Sequence, residues 1–156
     1  MKTVIKIFTI LIAFAALIVA CETVDPQTTI TGKLISNTDC KSNGLSIVDS
    51  EKSDTLSCIE YEYEAAEKIL HLKHINAGFN CCPGEITCSA KLVNDTIIVQ
   101  ESEKSALCDC DCLFDLNIDL SGVEEQKYFI KIKEPYCGDQ QKLYLLLFLD
   151  KDKEGT

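Results

Sequence analysis

The sequence predicts an all-β fold, an antiparallel β-sandwich of about eight strands stapled by disulfides. Apolar and polar residues alternate with period two along several stretches, which is the pattern of a strand with one wet face. Those stretches recur at short spacing with no strong helical segment between them. Ten cysteines, at 21, 40, 58, 81, 82, 88, 108, 110, 112 and 137, punctuate the 156 residues.

The chain opens on an export signal. Lys2 and Lys6 form a cationic head, residues 7–20 an uncharged apolar body, and Ala20 precedes Cys21, the plan of a secretory leader. A core helix would show a polar face, whereas only Thr9 interrupts this run. A bilayer span needs about 20 apolar residues, more than are present. Ile18, Val19, Ala20 and Cys21 resemble a bacterial lipobox, in which Cys21 would be acylated and become the first mature residue. The expected plan is a signal peptide over 1–20, a lipidated cysteine and polar tether over 21–27, and one domain over 28–156. The expected address is the cell envelope, lipid-anchored at the outer membrane, facing the periplasm or the surface.

Within the domain, the β-branched residues 28–35 predict a first strand, followed by a polar loop over 36–44. Ile59, Tyr61 and Tyr63 alternate with Glu60, Glu62 and Glu64 in a second strand. Residues 64–68 have helix-forming types but read as a turn into a strand over 69–75. Asn94 and Asp95 mark a hairpin across 93–97. The clearest strand is 107–120. Cys108, Cys110, Cys112, Phe114, Leu116, Ile118 and Leu120 share one face, and Asp109, Asp111, Leu113, Asp115, Asn117 and Asp119 the other. Tyr128, Ile130 and Ile132 alternate with Lys127, Lys131 and Lys133. The uncharged run 143–149 predicts a strand buried on both faces.

Charge narrows the partners. The formal charge of −10 becomes −12 once Lys2 and Lys6 leave with the signal, and the chain has no arginine. Such a body is repelled by phosphate backbones and lacks the guanidinium fork that reads them, which argues against nucleic acid.

If Cys21 carries lipid, nine cysteines remain, an odd number in an oxidising compartment where disulfides are the default. Cys40, Cys58, Cys81, Cys82, Cys88, Cys108, Cys110, Cys112 and Cys137 are the candidates. Four bridges and one thiol are the expected outcome. Residues i and i+2 of an extended strand lie about 6.8 Å apart, at the limit for a disulfide. Bridges between the Cys81/Cys82/Cys88 and Cys108/Cys110/Cys112 groups are therefore favoured over bridges within one. Cys40 and Cys58 flank the polar loop and could pair, and Cys137 is a further partner. The alternative is a copper or zinc site using His74 with Cys81, Cys82, Cys108, Cys110 and Cys112. It would need a bulge, because Cys108 and Cys112 would stand about 13.6 Å apart in an extended strand. His71 and His74, the only two histidines, should point to opposite faces. His74 shares a face with Leu70 and Leu72 and reads as a half-buried histidine held by a backbone carbonyl.

No Ser/His/Asp order, nucleophile elbow or phosphate loop is visible, and a thiol nucleophile paired with His74 would need a free cysteine. No enzyme and no resident cofactor are expected. The Asp109, Asp111, Asp115 and Asp119 row reads as a solvated strand face rather than a calcium site. Residues 150–155 imitate the start of a calcium loop but read as a frayed polar tail.

Three motifs taken together carry a family resemblance: His74, Asn76, Phe79, Asn80, Cys81, Cys82, Pro83 and Gly84; then Cys108, Cys110, Cys112, Leu113, Phe114, Asp115 and Leu116; then Pro135, Tyr136, Cys137 and Gly138. They resemble an uncharacterised family of exported, lipoprotein-like proteins of Bacteroidota. The resemblance implies a cysteine-rich, β-dominated envelope domain and transfers no activity. Asp54, Thr55 and Leu56, and again Asp95, Thr96 and Ile97, resemble the short O-glycosylation sites of that phylum, although turn chemistry explains both. The functional expectation is a lipid-anchored, non-catalytic binding or structural module, with an envelope protein or glycan as partner.

Overall fold

A computed structural model describes residues 29–41, 56–138, 140–150 and 153–156. The expected signal over 1–20, Cys21, the expected tether over 22–27, and Asp54 and Thr55 lie outside the described residues.

Among the described residues, nine strands form two sheets. In chain order they are β1 (Thr31–Asn37), β2 (Cys58–Glu64), β3 (Ile69–Asn80), β4 (Ile86–Val93), β5 (Thr96–Glu103), β6 (Asp111–Ser121), β7 (Lys127–Lys133), β8 (Tyr144–Phe148) and β9 (Lys153–Gly155). The first sheet has the order β1-β6-β3-β2-β9 and the second β4-β5-β7-β8. The expected disulfide-stapled β-sandwich is thus the fold. One pairing departs from a purely antiparallel plan: β5 and β7 run parallel, because β6 crosses to the other sheet between them.

The core forms where the inward phases meet. Leu70 and Leu72 of β3 and Phe114, Leu116, Ile118 and Leu120 of β6 face Ile97 and Val99 of β5 and Tyr128, Ile130 and Ile132 of β7, all buried. Fully burying one such side chain contributes about 1.5–3 kcal/mol, so the alternation read in the sequence supplies most of the driving force. Both expected turns are present. Lys68 (φ 56°) closes the β2–β3 turn and Asn94 (φ 57°) the β4–β5 turn, in the left-handed conformation that asparagine tolerates.

Several expectations are corrected. The strand over 69–75 runs on to Asn80 through a bulge, where the register shifts between His74 and Ala77. Asn76 takes φ 60° there, and the extra residue turns Ala77 and Phe79 inward. The strand expected from Leu107 begins only at Asp111. The run 143–149 is not buried on both faces: β8 is a sheet edge, with Tyr144 and Phe148 each 59% exposed. The C-terminal tail is not frayed throughout. Residues Lys153–Gly155 pair with β2 as β9, satisfying backbone groups that an edge would leave open.

Candidate functional site

Three features bear on function: a cysteine knot, a polar cluster between the sheets and a groove on the outside.

The knot is organised by Asn80, a buried amide at the end of β3. Its Nδ2 donates to the carbonyls of Cys108 (2.6 Å) and Cys110 (3.0 Å), and its Oδ1 accepts from the N–H of Cys82 (2.9 Å) and Cys108 (3.2 Å). These bonds hold residues 108–110 outside the strand ladder, which is why β6 starts late. They set the two chains for nested bridges, Cys81–Cys110 and Cys82–Cys108, with Cα atoms 5.7 and 5.5 Å apart. Bridging between the clusters is therefore as expected. The Cys40–Cys58 pairing is not: Cys40 bridges Cys112. The sheet order explains this, since β1 lies beside β6 while β3 separates β6 from β2 and Cys58. Cys58, Cys88 and Cys137 are free thiols, so the described residues hold three bridges rather than four. Burial pushes the Cys88 thiol up to about 12, and the neighbouring Glu101 charge adds to the rise. The sulfur-based copper or zinc site is overturned, because all five of its cysteines are consumed in disulfides.

The polar cluster centres on His74. It is fully buried rather than half-buried, and side chains rather than a backbone carbonyl hold it. Nδ1 lies 2.9 and 3.1 Å from the Glu101 carboxylate oxygens, and Nε2 lies 2.6 Å from Ser57 Oγ. Glu101, also fully buried, projects from β5 in phase with Ile97 and Val99. Glu134, half-buried just after β7, accepts the Gly78 N–H at 2.9 Å. Burial raises its pKa; the Gly78 N–H and His74 pull it down and Glu101 pushes it up, leaving it above the usual carboxylate range. Gly78 permits this approach, since a Cβ there would stand 1.8 Å from the Tyr136 carbonyl oxygen. Candidate ligand atoms of His74, Glu101 and Glu134 all lie within 4.8 Å of one another.

The groove lies on the opposite face of the first sheet. It encloses about 860 Å³ and is lined by Ile35, Glu60, Glu62, His71, Asn117 and Asp119, among others. As expected, His71 and His74 face opposite ways. His71 Nδ1 bonds Asp119 at 2.6 Å, and Nε2 stands 3.5 Å from Glu64. Burial lowers the His71 pKa, but the Asp119 bond and the charges of Asp119, Glu64 and Glu62 outweigh it, so the net shift is upward. The aspartate row divides: Asp109 and Asp111 are exposed, while Asp119 holds His71 and Asp115 pairs with Lys41.

The Ser57, His74 and Glu101 chain has the hydroxyl–imidazole–carboxylate order used to activate nucleophiles, and sequence order gave no sign of it. The signal available was phase: Glu101 falls on an inward position of its strand, where a charge demands a partner. Ser57 and Glu134 lie outside the strands and carry no such signal. Comparison with protein families, with curated proteins and with solved structures finds no match to this chain.

Proposed function

We propose that the chain is a lipid-anchored envelope protein, held at the outer membrane through Cys21, whose domain is a non-catalytic glycan-binding module. The observation that carries the reading is the groove across the five-stranded sheet, where Glu60, Glu62, Asn117 and Asp119 present acceptors around His71, with Tyr61 and Ile35 at its walls. Carboxylate and amide acceptors fixed on strands suit the hydroxyl donors of a sugar, which bring no anionic charge to an acidic surface. The disulfides support export, since such bridges persist in oxidising compartments.

The test uses the full chain with its leader. Wild type is expected in the outer-membrane fraction, with Cys21→Ser released from it. Titration with soluble envelope polysaccharide fragments should give saturable binding that Glu62→Ala/Asp119→Ala weakens roughly tenfold, a loss of about 1.4 kcal/mol. Release of neither form, or equal glycan affinity in both groove forms, would sink the corresponding half of the proposal.

A further inference from the structure

The interior cluster poses a charge-balance question that the groove does not touch. Glu101 is fully buried and Glu134 half-buried, and their carboxylates converge on one imidazole. A protonated His74 would offset one carboxylate and leave the other in a poorly solvated position, which is costly. A divalent cation offsets both with His74 neutral.

The hydrogen bonds fit the second arrangement. With a metal bound, a neutral ring carrying its proton on Nε2 would donate to Ser57 Oγ, 2.6 Å away, and turn the Nδ1 lone pair to the ion beside the carboxylates. Metal-bound histidines are held in this way, one nitrogen on the metal and the other donating to an outer partner. The spacing is close as well. The Nδ1 to Glu101 distances are 2.9 and 3.1 Å. Tetrahedral ligands at about 2.1 Å from zinc stand about 3.4 Å apart, so the ring and the carboxylate need to part by only a few tenths of an ångström to admit the ion.

We propose that His74, Glu101 and Glu134 form a zinc site between the two sheets. One imidazole and two carboxylates suit a borderline divalent ion and offer nothing to soft copper(I). The three ligands come from β3, from β5 and from the segment after β7, so the ion ties the two sheets together. In this state Nε2 keeps its proton and does not take one from Ser57, which makes the cluster a metal site rather than a nucleophile. The site is independent of the groove reading, because His74 and His71 lie on opposite faces.

The test uses the full chain in detergent, stripped with chelator and titrated with zinc chloride at pH 7. One zinc per chain should be retained through gel filtration, with a rise in Tm of about 5 °C or more. Glu134→Gln should weaken zinc at least tenfold. Because that variant could fold poorly, a second measurement uses ¹⁵N-histidine on wild type, which carries two rings only. Zinc should shift the Nδ1 signal of His74 and preserve its Nε2–H, with the rings assigned by His71→Gln. No retained zinc, a shift confined to His71, or full zinc affinity in a folded Glu134→Gln would each overturn the proposal.

Discussion

At Gly78 a missing side chain does more than most present ones. The backbone after β7 crosses β3 so closely that a Cβ at 78 would fall 1.8 Å from the Tyr136 carbonyl oxygen, and backbone cannot swing aside as a side chain can. Gly78→Ala should therefore cost at least about 2 kcal/mol, in the range of overpacked interiors. It should also displace Glu134, whose carboxylate bonds the Gly78 N–H. Gly138→Ala is the comparison: φ is 52°, but among the described residues no atom beyond the chain neighbours lies within 4 Å of the added Cβ, so only about 1 kcal/mol of backbone strain is expected. Urea unfolding of both variants gives the ranking, and equal costs would mean that the crossing chain yields. Asn80 stood out in the sequence only as part of a motif, and neither its structural role nor that of Gly78 was legible there. A glycine's clash partner and an amide's acceptors are distant in the chain, and period-two reading sees only neighbours. His74 was partly legible, as a polar residue in an inward phase, and Glu101 shows the same signal only once β5 is delineated.

Elements were more legible than residues, and their failures have a common cause. Alternation located β2, β6 and β7 because each buries one face, so its signal is written locally. The bulge at Asn76, the late start of β6 and the pairing of β9 depend on what lies alongside. Asp115 accepts the Asn76 N–H at 3.0 Å, Asn80 diverts the Cys108 chain, and β2 receives the tail. Bridge pairing belongs to the same class, because it follows sheet order. Cys40–Cys112 spans 72 residues, and the nested pair 29 and 26. Loop-closure entropy gives about 4 kcal/mol for the long loop. Either nested bridge is mostly redundant while the other closes nearly the same loop, and its removal should cost roughly half as much. Urea unfolding of Cys40→Ala/Cys112→Ala against Cys82→Ala/Cys108→Ala tests this. The reverse order would show that the nested bridges hold something other than a shared loop.

The whole molecule carries a formal charge of −10, and its pH response follows from how the outer sheet distributes that charge. His71 faces Asp119 from β6 and Glu62 and Glu64 from β2, with Lys73 two residues along its own strand. Its pKa is raised from 6.5, so its stabilising contribution is complete below that value and is lost as pH climbs through the folded pKa. Asp115 behaves oppositely. Burial raises its pKa, but Lys41, the Asn76 N–H and Lys73 outweigh burial and bring it below 3.8. Its contribution is complete above that value and lost in stronger acid. Self-repulsion of an acidic surface also grows as pH rises. The two groups together place the Tm maximum on the acid side of neutrality, between the 3.8 and 6.5 reference values. The check is a Tm series across that window and up to alkaline pH in metal-free buffer, on wild type and His71→Gln. Wild type should fall on the alkaline side more steeply than the variant, because only wild type loses a charged imidazole from among three carboxylates. A Tm that rises from slightly acid to slightly alkaline pH, or parallel curves for the two proteins, would show that His71 does not hold the acidic sheet face together.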